Sequence, residues 1–159
     1  RIKNESGFIE LRGDRMGYKS IVCGVTGSAH AQKAALEAAR LARAENANLT
    51  YVYAVDMTFL KGGKAATHST EESLESLGRH ILENAAQVAW DEKVTAKKML
   101  MKGRVHEVLK KAILENEADL LVLGHEERTF FEKFLLEGTA EDYIESLKRE
   151  TGVDVSVVE

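Results

Sequence analysis

Residues 119–124 read Asp119-Leu-Leu-Val-Leu-Gly124, an unbroken apolar run that ends in glycine. A short run of this kind predicts a strand that is buried on both faces of a parallel sheet. Fourteen residues further on, Gly138 and Thr139 open a Thr-x-x-Asp helix start. A strand ending in glycine that leads to a glycine-opened helix is where α/β proteins place phosphate groups. The function therefore depends on whether this stretch binds one.

The remaining pattern alternates apolar strands with amphipathic helices. Strands are predicted at residues 19–25, 49–55, 94–101, 120–123 and 153–158. Alternation of this kind predicts a parallel sheet with right-handed crossovers and helices on both faces. We expect the second helix to bury a stripe containing Leu77, Ile81 and Val88, and Trp90 to be partly buried. Residues 1–17 form an N-terminal extension or linker, and residues 18–159 form the α/β domain; the start at Arg1 leaves open that the chain is a fragment of a larger protein.

Composition excludes several classes of function. The formal net charge of -4 provides no basic field for nucleic acid. No apolar stretch approaches the length of a membrane span, so we expect no membrane insertion. The single cysteine, Cys23, cannot form an internal disulfide and fits a reducing, cytoplasmic compartment. The histidines and Cys23 show no metal-ligand spacing, and Ser28 with His30 lacks a nucleophile-elbow motif, so neither a metal site nor a catalytic site is predicted.

Four segments, in order, resemble the universal stress protein family. They are Tyr18-Lys-Ser-Ile-Val, Met101-Lys-Gly-Arg-Val-His-Glu, Ala118-Asp-Leu-Leu-Val-Leu-Gly and Gly138-Thr-Ala-Glu-Asp-Tyr. The resemblance implies a single Rossmann-like α/β domain with a five-stranded parallel sheet in the order 3-2-1-4-5. It also implies a homodimer, for which we expect the edge strand at residues 153–158 to pair.

Many members of that family bind ATP through Gly, two residues, Gly, nine residues, Gly and then Ser or Thr. Gly124 matches the first glycine, and Gly138 with Thr139 matches the last pair. The second glycine is replaced by Glu127, and the spacer that follows is one residue longer. By resemblance, Thr26 takes the place of an aspartate that holds the adenine, and a small hydroxyl residue of the last helix is replaced by Glu141.

These departures leave two functions open. In the favoured one, the chain is a dimeric regulatory module with a degenerate nucleotide loop, because Glu127 and Glu141 repel phosphate, and it binds ATP weakly or not at all. A protein partner would then meet the aromatic and apolar residues 130–136.

In the alternative, the chain is a sensor that binds ATP or AMP, with Mg²⁺ only alongside the nucleotide. One end of its ligand would contact the turn formed by Thr26, Gly27 and Ser28, and the nucleotide base would contact Val55. Gly124, His125, Gly138 and Thr139 would lie near the phosphates. His125 has a second interpretation as a solvated loop residue. Neither function is enzymatic, although slow ATP hydrolysis is left open.

Overall fold

A computed structural model describes residues 17–27, 29–57, 68–124 and 140–159. Strands and helices alternate through these ranges, as the apolar pattern predicts. In chain order the elements are β1 Ser20–Gly24, α1 Ala29–Glu45, β2 Asn48–Val55, α2 His68–Asp91, β3 Lys97–Lys102, α3 Val105–Glu115, β4 Leu120–Gly124, α4 Ala140–Thr151 and β5 Asp154–Val158.

The strands form one parallel sheet in the order β3-β2-β1-β4-β5, which confirms the predicted topology. The opening stretch becomes β4, whose residues are all buried between β1 and β5. β3 lies at one edge and exposes Lys97 and Lys98, where charge discourages pairing with other chains. β5 lies at the opposite edge.

Two apolar layers cover the sheet. On one face, α1 and α2 pack against side chains such as Ile21, Tyr51 and Leu120. On the other face, α3 and α4 pack against side chains such as Val22 and Leu121. Alanines make up most of the buried face of α1, so this helix can lie close to the sheet. Both faces of the central strands are therefore buried, as their continuous apolar sequence requires.

Polar contacts tie the elements together at the amino-terminal edge of the sheet. The Asp119 carboxylate accepts hydrogen bonds from the backbone N–H groups of Lys19 and Ser20, at 3.0 to 3.2 Å. The Ser20 hydroxyl donates to the backbone carbonyl of Asn116 at 2.9 Å. The Asn116 side chain in turn donates to the carbonyl of Ala112 at 2.8 Å. This edge is held by its own side chains, whereas the carboxyl-terminal edge carries the cavity described below.

Two predicted core positions on α2 are wrong. Leu77 is 49% exposed and Trp90 is 64% exposed. The helical period places Leu77 on the same stripe as Ile81 and Ala85, and all three line the cavity described below. Ile81 and Ala85 also pack in the core, whereas Leu77 is not covered. A periodic pattern defines the apolar side of a helix and not what covers it.

Candidate functional site

A cavity of about 820 Å³ opens at the carboxyl-terminal ends of β1 and β2. Its centre is lined by Gly24, Val25, Thr26 and Gly27, which end β1 and form the turn into α1. Thr26 and Gly27 are exposed to the cavity and solvent, whereas Val25 is buried. In open parallel sheets, ligands bind in the crevice outside the carboxyl ends of the strands, and this cavity occupies that position. Its volume lies in the range of small-molecule pockets.

From this centre the cavity extends to both faces of the sheet. The part on the α3 face, here the sheet-end lobe, is lined by Val52, Ala54, Asp56, Val105 and Leu109. The part between α1 and α2, here the interhelix lobe, is lined by Ala31, Gln32, Ala35, Tyr53, Leu77, His80, Ile81, Asn84, Ala85 and Val88.

Asp56 is the charged residue of the sheet-end lobe, and it directly follows β2. It is only 6% exposed, and its Oδ2 accepts a hydrogen bond from the backbone N–H of Val105 at 3.0 Å. Val105 begins α3, and the residue before it, Arg104, provides no side-chain cap. The Asp56 carboxylate therefore caps α3 from a neighbouring strand and lies at the positive end of the helix dipole. Here it can also present a carboxylate oxygen to a ligand.

The interhelix lobe is apolar with a few polar groups. Its wall includes Ala31, Ala35 and Ala85, which are nearly fully buried. Tyr53 lies at its floor, where burial raises the pKa of the phenol, so this group is neutral at ordinary pH. The exposed Gln32, His80 and Asn84 supply hydrogen-bonding groups.

The structure brings some of the predicted site residues together and leaves others apart. Thr26 and Gly27, two of the residues predicted to contact a nucleotide, line the cavity. Val55 is buried, and its neighbours Ala54 and Asp56 reach the cavity in its place. Gly124 ends β4 at the same edge, on the strand adjacent to β1. Ser28, His125, Gly138, Thr139, Glu127 and residues 130–136 lie outside the described residues.

Sequence reasoning missed Asp56 and the interhelix lobe. Asp56 was not among the predicted site residues, although an acidic residue directly after a buried strand at this edge is a signal that could have identified it. The lobe has no such signal, because Tyr53, Ile81 and Ala85 read as ordinary core positions. Their exposure to a cavity depends on how closely α1 and α2 approach each other.

Within the described ranges, no group of three or more His, Cys, Asp or Glu side chains is arranged to hold a metal ion. No helix among those same residues is both long and apolar enough to span a membrane. The cysteine of the chain, Cys23, is buried in β1 and forms no disulfide.

Comparison with known proteins gives one family and a set of similar structures. The profile of the Universal stress protein family matches residues 17–151. A search of curated protein sequences gave no significant match.

Among solved structures, a universal stress protein in complex with cAMP is 21% identical, with a TM-score of 0.67, over 91% of this chain and 99% of that one. A family member from Burkholderia pseudomallei is 25% identical, with a TM-score of 0.67, over 89% of this chain and 96% of that one. A universal stress protein from Archaeoglobus fulgidus in complex with dAMP is 17% identical, with a TM-score of 0.62, over 91% of this chain and 100% of that one.

Proposed function

Since the chain belongs to the universal stress protein family, we propose that it is a regulatory module that binds an adenine nucleotide with a single phosphate. The observation that carries this proposal is the cavity at the carboxyl ends of β1 and β2, where the Thr26–Gly27 turn and the buried Asp56 meet. Two structures of similar fold are complexes with cAMP and dAMP, which are nucleotides of this size. The proposal assigns binding to the chain and no catalysis.

The sheet-end lobe suits the nucleoside part of such a ligand. Val52, Ala54 and Leu109 offer apolar surface to a flat base. The Asp56 carboxylate and the Thr26 hydroxyl offer acceptors to amino or hydroxyl groups. Gly124, at the end of the neighbouring strand, and the Gly138–Thr139 pair would then approach the phosphate.

ATP should bind more weakly than AMP. The described cavity lining has no lysine or arginine. The sequence adds Glu127, which follows Gly124 by three positions, and Glu141, the second residue of α4; a carboxylate near the phosphates would repel them. Two unit charges about 4 Å apart interact by roughly 4 kcal/mol at an effective dielectric of 20. Each further phosphate therefore adds a repulsion that has no described cation to offset it.

Titration calorimetry with AMP and with ATP, each with and without Mg²⁺, tests this proposal. We expect AMP to bind more tightly than roughly 100 µM, which corresponds to about 5.5 kcal/mol, and ATP to bind at least tenfold more weakly. Replacing Glu127 by Gly together with Glu141 by Ser should raise the ATP affinity more than the AMP affinity. If the double replacement leaves the ATP affinity unchanged, the charge argument is contradicted. Release of ADP during the ATP titration would indicate hydrolysis.

The second candidate is an interaction module that binds no nucleotide. It is favoured by the same two acidic replacements, and its contacts would be a homodimer through residues 153–158 and a protein partner at residues 130–136. β5 supports the first contact because it is an edge strand with an apolar sequence. Sedimentation should show a dimer, and a monomer at high concentration would contradict dimerisation through this strand.

The buried Cys23, which forms no disulfide, supports a cytoplasmic location for either candidate.

A further inference from the structure

Asp56 differs from the other polar side chains of the cavity in the hydrogen bonds that it can make. Among the described residues that line the cavity, Asp56 alone is acidic. An ionised carboxylate only accepts hydrogen bonds, whereas a hydroxyl, an amide, a phenol or a neutral imidazole can both donate and accept. The remaining polar side chains of the described lining belong to this second class: Thr26, Gln32, Tyr53, His80 and Asn84. A ligand group that meets Asp56 must therefore be a donor.

The surroundings of Asp56 make this requirement strict. The residue is only 6% exposed, and apolar side chains form the rest of the sheet-end lobe. A ligand that fills the lobe removes the remaining water from the carboxylate. Because a charged group that is buried without a hydrogen-bond partner costs more free energy than a neutral one, a ligand that offers no donor here binds poorly.

One hydrogen bond of the carboxylate belongs to the fold. The Asp56 Oδ2 atom accepts from the backbone N–H of Val105 at 3.0 Å, so the first residue of α3 orients the side chain. Each carboxylate oxygen can accept more than one hydrogen bond, and this capping bond therefore does not prevent a further bond to a ligand. The carboxylate is held in place before a ligand arrives.

The sheet-end lobe favours the base of a nucleotide over its sugar. Val52, Ala54 and Leu109 present apolar side chains, which suit the faces of a flat ring. A ribose carries hydroxyl groups on several sides, and some of them would lie against these side chains without a partner. The donor that reaches Asp56 is therefore a group of the base. On adenine the exocyclic donor is the 6-amino group.

From these contacts we propose that Asp56 makes the site specific for adenine, because its carboxylate accepts a hydrogen bond from the 6-amino group and rejects purines that carry a 6-oxo group. This inference rests on the proposed function, since it names the residue that selects the base in the same cavity. A site built to hydrogen-bond a donor discriminates strongly against an analogue that lacks it. A 6-oxo group also places an acceptor against the carboxylate, and two acceptors repel each other.

Calorimetric titration of the purified protein with three nucleotides tests this selection. AMP carries the 6-amino group, IMP carries a 6-oxo group in its place, and 2′-deoxy-AMP keeps the amino group but lacks one sugar hydroxyl. We expect AMP to bind more tightly than IMP by at least about tenfold, and 2′-deoxy-AMP to bind as tightly as AMP. Equal affinities for AMP and IMP would overturn the proposal. Selective loss of 2′-deoxy-AMP binding would place the sugar at Asp56 and would also overturn it.

The Asp56→Asn variant should reverse the preference. Its amide oxygen can keep the hydrogen bond to the Val105 N–H, while its NH₂ group replaces the other carboxylate oxygen and donates instead of accepting. We therefore expect this variant to bind IMP more tightly than AMP. A residue that only caps α3 would change both affinities by the same factor.

Asp119→Asn is the matched control. Asp119 also accepts hydrogen bonds from backbone N–H groups, but at the amino-terminal edge of the sheet, away from the cavity. Its variant should keep the AMP-to-IMP affinity ratio of the unmodified protein, and the same change of ratio in both variants would overturn the proposal.

The outcomes separate this proposal from the proposed function. If the unmodified protein binds AMP and IMP equally, or if Asp56→Asn weakens both by the same factor, Asp56 does not select the base, although the cavity still binds a nucleotide. If neither nucleotide binds, both proposals are overturned.

Discussion

Replacing Gly78 by alanine tests how closely α2 lies against the sheet under the cavity. A Cβ at this position would lie 2.7 Å from Leu100 Cδ1 and 2.7 Å from Tyr53 Cε1, and closer still to Tyr53 Cδ1. Ordinary carbon contacts lie at 3.5 Å or more, so the helix or the tyrosine ring must move. Overpacking of this kind costs about 1–3 kcal/mol. The higher helix propensity of alanine offsets up to about 1 kcal/mol of this cost.

The net expectation is therefore a loss of about 1–2 kcal/mol in the free energy of unfolding, which combines the overpacking cost with the propensity gain. For a chain of this length that loss lowers Tm by roughly 2–8 °C. Thermal and urea unfolding followed by circular dichroism measure it. Gly27→Ala is the matched control, because its Cβ would lie 3.5 Å from Ile81 Cδ1 and should change stability by less than about 0.5 kcal/mol.

The same substitution in a Tyr53→Leu background identifies the obstacle. If the ring causes the strain, Gly78→Ala should cost less than half as much once the ring is gone, since interacting residues are not additive. An increase in stability of about 1 kcal/mol for Gly78→Ala in the unmodified background, the helix-propensity gain alone, would refute the close packing.

Three further outcomes follow from individual contacts. Asp56→Ala should destabilise the protein by about 1–3 kcal/mol in urea unfolding, because the N–H of Val105 loses its charged acceptor. Asp56→Asn should cost less because the amide oxygen can still accept this hydrogen bond, and equal losses would contradict a role for the hydrogen bond. The Ser156 hydroxyl is buried and finds no partner among the described residues, so Ser156→Ala should raise the unfolding free energy by about 1 kcal/mol, and a loss of stability would show a hidden partner. The hydrogen bond from Lys110 lowers the pKa of Glu150, so the stability it contributes is present above the pKa of the unfolded state and is lost as pH falls through the lower folded pKa. An NMR titration should show that pKa rise in Lys110→Met, and an unchanged value would exclude this pair as the cause.

The strands could be predicted from the sequence because each is a distinct apolar run, whereas their order in the sheet was implied by the resemblance to the universal stress protein family. The run at residues 119–124 has no polar position between Leu120 and Gly124, which requires burial on both faces and therefore a central place. Lys97 and Lys98 indicate that β3 lies at an edge, because charged side chains are not expected on a strand that is buried on both faces. Gly152 ends α4 with φ of +73°, and its N–H donates to the Lys148 carbonyl at 2.7 Å, as expected of a glycine after a helix.

The site was less predictable because it depends on tertiary approach. Val55 was predicted to contact the base of the nucleotide; its side chain is buried, while its neighbours Ala54 and Asp56 line the cavity, since successive side chains on a strand alternate between faces. Leu77 and Trp90 show a second limit. Each is an apolar residue on an amphipathic helix, and only the positions of α1 and the sheet decide whether another residue covers it.

The most direct test of nucleotide binding is an amide NMR titration of the protein with AMP. Binding in the cavity predicts saturable shifts for Thr26, Gly27, Ala54 and Asp56, which surround the carboxyl ends of β1 and β2. It also predicts little change at Asn116, on the opposite edge of the sheet. Saturable shifts centred on Asn116, or no shifts at millimolar AMP, about 4 kcal/mol or less of binding free energy, would contradict it.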